Sequence, residues 1–422
     1  MGHLLMVESW VGAMSTLLPR GIRESGHHFS FLTRDVHHYL RAWQQPGAHP
    51  LLGARNVLGS ETNELPELVE HVAGLQPALG FDGVLTSCDY YLVAAAHIAE
   101  RLGLPGSPPQ AVEAACNKDR TRLALREAGV PGPAFALADS PSGLVEAATA
   151  LGFPLVVKPV DLCAGMFVRK VADADELRAA AGDLAGFPVN ARGQRRSSTV
   201  LLEELLTGPE VSVEAVTARG RTTVVGVTDK SVAGSPWFVE TGHMFPADLD
   251  AAVEREVTAT AVAAIEALGL DNTVTHTEIK LTPDGPRVVE VNPRPAGNQI
   301  TELIRRVAGI DLPAVHAQLA LGEEPALREV RTGAASAAIS FLLPPRPGPV
   351  HEIRGAEQVA DATGVVDFAC KQQGHVAGAA TSNNNYLGHV MVTDPLLGAA
   401  RSRAEAAIAA LDVVYAEDRV GA

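Results

Sequence analysis

Between His276 and Gly297 the chain reads HTEIKLTPDGPRVVEVNPRPAG, which spaces two carboxylates, an amide and a guanidinium for phosphate chemistry. Thr277, Ile279 and Leu281 alternate with His276, Glu278 and Lys280, the period of two of a half-buried strand. Pro283, Asp284, Gly285 and Pro286 supply turn chemistry. On the return, Val289 and Val291 alternate with Glu290, Asn292 and Arg294. A hairpin folded about Asp284 sets Glu290 roughly opposite Glu278, with Asn292 one step along the same face. Two carboxylates and an amide oxygen converging in this way repel each other unless a hard cation sits between them. Mg²⁺ suits such a group, because it takes oxygen ligands and brings substrate phosphates with it. The alternative is a solvated face of charged side chains.

Two lysines offer countercharge for phosphate. Lys158 lies at the end of the Val-rich strand Phe153 to Pro159 (FPLVVKP), where burial without an anionic partner would be costly. Its alternative is to reach solvent from the strand end. Lys118, in CNKDRTR, opens a helix expected to run to about Ala128 and to stop at Gly129-Val130-Pro131.

The elements around these groups fall into three stretches, with divisions expected at 1–110, 111–309 and 310–422. The first opens on a strand near Leu4 to Val7 and later reads FDGVLTSCDYYLVAAAHIAERLGLPG, a strand, a polar turn and a long helix. Ser87 or Asp89 is the expected cap of that helix. Such alternation implies a parallel sheet covered by helices. No G-x-G-x-x-G follows a strand, so a dinucleotide site has no support. His27, His28, His37 and His38 cluster early, but their spacing matches no familiar tetrahedral metal site. In the second stretch a helix is expected from Asp173 to Ala181, stopped by Gly182, with strands at Val200 to Glu203 and Val211 to Val216. In the third, strands are expected at Ala337–Leu343, Gly364–Phe368 and His389–Val392, with an exposed turn at Asn383, Asn384 and Asn385. A helix from about Leu397 to Leu411 closes it.

The net charge of −15 disfavours nucleic acid and anionic membrane as partners. Arg192, Arg195 and Arg196 make a short basic loop, expected to be mobile and solvated. No apolar run reaches about 18 residues, and Glu8 interrupts the apolar N-terminus, which argues against a membrane span or a signal peptide. Cys88, Cys116, Cys163 and Cys370 lack metal-ligand spacing and read as reduced thiols of a cytoplasmic protein.

Glu278, Glu290, Asn292 and Arg294, in this order, resemble the catalytic hairpin of the ATP-grasp superfamily. The resemblance implies an α/β (α+β) chain: an ATP-grasp fold behind an N-terminal Rossmann-like parallel-sheet domain, with a C-terminal α+β extension. It implies ATP and Mg²⁺ as cofactors, with one or two ions and Mn²⁺ as a substitute. Glu278, Glu290 and Asn292 would be the metal ligands, and Lys118 and Lys158 would contact phosphate. Glu203-Glu204-Leu205-Leu206-Thr207-Gly208-Pro209-Glu210 resembles the segment joining the two lobes of that fold. By that likeness Glu203 would accept from the adenine amino group, backbone groups of Glu204 and Leu206 would read the ring edge, and Glu210 would hold the ribose. The stretch DLCAGM, from Asp161 to Met166, departs from the Gly- and Ser-rich flap of the family and keeps only Ala164 and Gly165 of that character.

Glu240 and His243, in SPWFVETGHMFPADL just before an expected helix start, resemble the amino-acid ligase (dipeptide synthetase) branch. There they would lie at the substrate pocket, with Glu240 on a substrate ammonium or assisting a metal and His243 at the acyl phosphate or the amine. Arg294 would stabilise the tetrahedral oxyanion. Asn298, four residues later, and Gln299 would give the donor pocket a polar edge. The implied activity is ATP-dependent joining of one amino acid's carboxylate to another's amine, with ADP and phosphate released. Its partners would be small-molecule amino acids, and a homodimer follows by analogy with the fold. Alternatives are an ATP-grasp carboxylase or ligase acting on another carboxylate, and a non-catalytic ATP-binding regulator.

Overall fold

The computed structural model describes residues 1–43, 46–233 and 236–416. Its N-terminal part is a parallel sheet of four strands, in the order Val57–Gly59, His28–Thr33, His3–Val7, Gly83–Leu85. The strands are short and apolar, and Leu4, Leu5, Met6 and Val7 are fully buried, as expected of a sheet with helices on its faces. The chain reverses its direction of winding between His3–Val7 and Gly83–Leu85. Glu8 and Ser9 therefore lie beside Thr86 to Asp89 in the crevice beyond the strand ends, where open α/β sheets bind ligands. The expected cap at Ser87 or Asp89 is not formed. A 3-10 turn, Asp89–Tyr91, precedes the helix Leu92–Leu102, and neither element has a side-chain cap. The Asp89 carboxylate is instead drawn to stronger donors, Trp10 and Arg294.

A second sheet, antiparallel, orders Phe135–Ala138, Val200–Glu204, Leu155–Pro159 and Arg169–Val171. Leu155, Val157 and Leu202 pack there beneath two helices, Pro141–Leu151 and Ala174–Ala185. Asp173 caps the second helix by accepting from the backbone N–H groups of Asp175 and Glu176. That helix runs through Gly182 to Ala185 instead of stopping there. An interior glycine costs about 1 kcal/mol, which the burial of Leu184 in the next turn offsets.

The third sheet positions the site. Its eight strands run Gly285–Asn292, Thr273–Thr282, Glu210–Ala218, Arg221–Val232, Glu240–Phe245, Ser336–Leu342, Gly388–Asp394, Val365–Cys370. Strands from both sides of residue 310 thus share one sheet, and every pairing in it is antiparallel. The hairpin registers Glu278 against Glu290 and His276 against Asn292. Following partners from strand to strand gives one transverse row: Lys280, Glu210, Lys230, His243, Ile339, Met391, Asp367. The row beside it holds Glu290, Glu278, Ser212 and Thr228. The opposite face carries Val211, Val213, Val227 and Ile279 against the helix Ala251–Leu268. At the other end Ile339, Phe341 and Met391 are covered by Ile300, Leu303 and Ile304 of the helix Ile300–Ala308.

The basic loop is not a solvated excursion. Arg195 is exposed, but Arg192 is only 6% exposed and the Arg196 side chain 5%. Arg192 donates to Tyr39 and Arg196 pairs with Asp161, because buried backbone and carboxylate acceptors draw both cations inward. The Asn-rich turn is likewise only partly exposed, since Asn383 turns toward Glu240.

Gly208, in the link between Val200–Glu204 and Glu210–Ala218, has φ +134 and tolerates no side chain. A Cβ there would lie 2.0 Å from the carbonyl oxygen of Leu281. Gly208→Ala is expected to lose about 2 kcal/mol of stability through backbone strain, read as a lower urea midpoint with an unchanged slope.

Candidate active site

The hairpin brings Glu278 and Glu290 face to face, and in the structure each carboxylate is met by an ammonium group. Lys118 Nζ lies 2.7 Å from Glu290 Oε1 and donates to the Leu162 carbonyl at 2.7 Å. Lys230 Nζ lies 2.5 Å from Glu278 Oε1, 3.0 Å from Glu240 and 3.1 Å from Glu210. Its side chain is 1% exposed. Burial opposes the charge of Lys230, yet Glu240, Glu278 and Glu210 outweigh it and raise its pKa well above the ordinary value. Burial likewise opposes ionisation of Glu240, but Lys230 and His243 hold its carboxyl well below the usual range. One ammonium therefore joins three residues expected at separate jobs: ribose, metal and amino acid. Lys280, 3.0 Å from Glu210, completes that end of the row.

His276 supports Glu278 from the same face of the hairpin. Its Nδ1 lies 2.9 Å from Glu214 Oε1 and its Nε2 3.2 Å from Glu278 Oε1. Both partners are acceptors only, so both ring nitrogens carry protons. Burial would lower the pKa, but the two carboxylates prevail and raise it to about 9.

Arg294 is held from the N-terminal sheet. Its Nε and Nη2 each lie 2.8 Å from Asp89 Oδ1, while Trp10 Nε1 donates to Asp89 Oδ2 at 2.8 Å. Asn292 lines a recess together with Asp89, Tyr90, Lys118, Asp161 and Glu290. Hard oxygen donors and cations thus meet where the first two sheets and the hairpin adjoin.

Lys158 is buried, as its strand position implied, and its anion is Glu203 at 2.6 Å. Arg122 Nε contacts the other Glu203 oxygen at 2.5 Å and its Nη2 donates to the Val289 carbonyl. Burial would raise the Glu203 carboxyl, but Arg122 and Lys158 hold it down at about 2. Both Glu203 oxygens thus carry a cation, so this residue orients Lys158 in addition to any contact with adenine. The N–H of Glu204 is spent on the Ala134 carbonyl at 2.8 Å, and any ring-edge contact from that residue must come from its carbonyl. Leu206 is half-buried in the irregular link that follows.

Glu240 and His243 lie on the strand Glu240–Phe245, and the helix expected after them begins at Ala251. The register with Lys230 and Ile339 extends the sheet through them. His243 Nε2 is 3.1 Å from Glu240 Oε2, and Asn298 Nδ2 donates to the same carboxylate. The N–H of Glu240 donates to Asn383 Oδ1 at 3.0 Å. Phe341 meets the His243 ring edge-on at 5.5 Å and stacks on Tyr386 at 4.2 Å. The C-terminal strands therefore build one wall of this pocket. Gln299 is not part of it, because it turns to Asp367 and His389 at 3.2 and 2.9 Å.

Sequence reasoning missed Lys230, Asp89, Arg122 and Tyr386. Lys230 had a usable signal, a single lysine inside the strand TVVGVTDKSV, the same cue that marked Lys158. Asp89 was assigned a local cap instead of a distant cation.

Because the Glu203 carboxyl is depressed on folding, its stabilisation is complete above its ordinary value of 4.5 and is lost as pH falls toward about 2. Glu203→Gln should cost about 3 kcal/mol at pH 7 by leaving two buried cations short of charge. Urea unfolding of both proteins across pH 2–7 should show that gap narrowing below pH 4.5.

Three family models match successive parts of the chain: an ATP-grasp N-terminal domain over 23–106, an ATP-grasp domain over 151–302, and an L-amino acid ligase C-terminal domain over 340–416. An uncharacterized protein of Sinorhizobium fredii, y4rH, is 30% identical over 83% of this chain and 72% of its own length. The alanine–anticapsin ligase of Bacillus subtilis is 29% identical over 58% of this chain, which spans 55% of that enzyme. The solved L-amino acid ligase of Bacillus licheniformis superposes with a TM-score of 0.81 at 23% identity, covering 98% of this chain and 99% of that one. That likeness shows a shared fold. ATP-grasp proteins in general use ATP and Mg²⁺. With matching domains in order along the chain and the hairpin carboxylates in register, this protein belongs to the ATP-grasp superfamily, and its C-terminal part matches the L-amino acid ligase C-terminal domain.

Proposed function

We propose that this chain is an ATP-dependent ligase that joins the carboxylate of one amino acid to the amine of another, releasing ADP and phosphate. The observation that carries this reading is the Lys230 ammonium, which links Glu210 and Glu278 on the nucleotide side to Glu240 on the amino-acid side. Residues 1–110, 111–309 and 310–422 act as three domains, each giving one wall: Asp89, the hairpin, and Phe341 with Tyr386.

Mg²⁺ fits Glu278, Glu290 and Asn292, because their hard oxygens stand in register and the two carboxylates already draw ammonium groups to them. When bound, one or two such ions, or Mn²⁺ in their place, supply positive charge against the β- and γ-phosphate oxygens. Attack of a carboxylate on a γ-phosphate brings two anions together, and Lys118 and Lys158 offset that repulsion. Glu210 accepts from the ribose hydroxyls, while Glu203, Glu204 and Leu206 border the adenine. Glu240 takes the ammonium of an amino acid, and Asn298 gives the donor pocket a polar edge that suits a hydrogen-bonding side chain. His243 orients the activated carboxyl against the incoming amine. When that amine attacks, Arg294 stabilises the oxyanion, with Asp89 fixing its guanidinium plane. A cytoplasmic homodimer acting on small molecules, away from nucleic acid and membrane, belongs to the same reading.

The test is ADP and phosphate release from Mg·ATP across all single and paired amino acids. A product of mass equal to the pair minus water identifies both substrates; release that requires bicarbonate and no amine sinks the reading. Glu290→Gln and Arg294→Ala should each abolish ligation while keeping a cooperative thermal transition. Turnover like the wild type in either variant would refute the assigned roles.

A further inference from the structure

Arg192 lies outside the chemistry described above, yet it is among the most deeply engaged cations of the chain. It sits at the tip of a small hairpin closed by a bridge between Val189 and Arg195 and by the Asn190 N–H on the Gln194 carbonyl at 2.9 Å. Asn190 Oδ1 accepts from the N–H groups of Arg192 and Gln194, and Gly193 turns the chain at φ +77. The tip is therefore shaped by its own bonds before it meets anything else.

Its socket is the crevice at the end of the N-terminal parallel sheet. The Arg192 guanidinium donates to the Ser9 carbonyl and to the Tyr39 hydroxyl, the latter at 3.0 Å. It lies 5.2 Å from the Tyr39 ring centre and 5.9 Å from that of Tyr91. Arg34 and Asn63 both donate to the Arg192 carbonyl, at 2.6 and 2.9 Å. Behind Tyr39 stands Glu8, 2% exposed, at φ +53, accepting from Thr33, Arg34, Thr62 and the Tyr39 hydroxyl. A non-glycine residue held in the left-handed region is a position the surroundings over-determine. Tyr39 thus couples a buried carboxylate to a buried guanidinium contributed from outside the N-terminal sheet.

The base of the hairpin grips the recess itself. Arg196 Nε lies 3.3 Å from Asp161 Oδ1 and the Ser197 N–H donates to Asp161 Oδ2 at 2.6 Å. Gln194 Nε2 donates to the Tyr90 carbonyl at 3.1 Å. Asp161 and Tyr90 both line the recess that also holds Lys118, Glu290 and Asn292.

We propose that the 189–196 hairpin is a latch whose Arg192, seated in the Ser9–Tyr39–Glu8 socket, clamps the phosphate-side sheet onto the N-terminal sheet and keeps water from the activated carboxyl. Arg192 is a positioning residue, and its assignment rests on the ligase reading above. An acyl phosphate exposed to water hydrolyses, so an open latch spends ATP without making peptide.

The experiment compares the wild type with Arg192→Met, which keeps the aliphatic stem, and with Tyr39→Phe, which removes only the bridging hydroxyl. ADP and peptide are counted in the same reaction, and amide hydrogen exchange is followed over 189–196 and 33–39. The expected result is a severalfold rise in ADP released per peptide and faster exchange at both segments for Arg192→Met, with a smaller change of the same sign for Tyr39→Phe. Tyr39→Phe decides if Arg192→Met does not fold. An unchanged ADP-to-peptide ratio overturns the latch whatever the exchange shows. If the wild type forms no peptide, the ligase reading fails separately. The clamp then stands on faster exchange at both segments and falls if the exchange is unchanged.

Discussion

The central row of this site depends on a single buried ammonium, that of Lys230. The eight-stranded sheet sets Glu210, Glu240 and Glu278 within reach of one point, where three like charges largely removed from water repel each other. Lys230 makes the arrangement tenable by standing within 3.1 Å of each of them. Breaking such a buried group by removing one partner leaves charges uncompensated, a loss of several kcal/mol. The same geometry gives the site its economy of parts. Glu210, Glu240 and Glu278, on three different strands, are thereby held by one shared charge.

The second constraint is assembly from separate sheets. Arg294 leaves the hairpin and finds Asp89 beyond the N-terminal parallel strands. Lys118 comes from a helix start, Lys158 from the smaller antiparallel sheet, and Phe341 and Tyr386 from beyond residue 310. Each group is rigid in its own element, and what brings them together is the docking of those elements. The latch residues Arg192, Arg196 and Gln194 act on that docking and not on the chemistry.

Much of this was legible from residue patterns. Period-two alternation with turn residues at 283–286 located the hairpin, and its register followed because a strand's faces alternate strictly. A lysine in a Val-rich strand had to meet an anion, and Lys158 does. Less local matters were misread. Asp89 looked like a helix cap because a carboxylate before a helix usually is one; its partner lies 205 residues away. Arg192 and Arg196 looked solvated because loop arginines generally are, and nothing nearby in sequence announces the Tyr39 socket. The strand that carries Glu240 and His243 went unassigned, since SPWFVETGHMF shows little strand alternation. The neighbouring strands Arg221–Val232 and Ser336–Leu342 impose its extended form.

Residue order alone set the local pieces: which strands form, where the hairpin turns, and which side chains share a face. These are set by backbone sterics and by side-chain periodicity, which act within a few residues. Which charges meet was settled by long-range packing. It placed one lysine among three carboxylates, tied Arg294 to Asp89, and ran a single sheet across residue 310. Those choices are made by the burial of Ile339, Phe341 and Met391 under the helix Ile300–Ala308, and of Val211, Val213 and Ile279 under Ala251–Leu268. Apolar burial is non-directional and long-range in sequence, so no short window of residues could reveal its outcome.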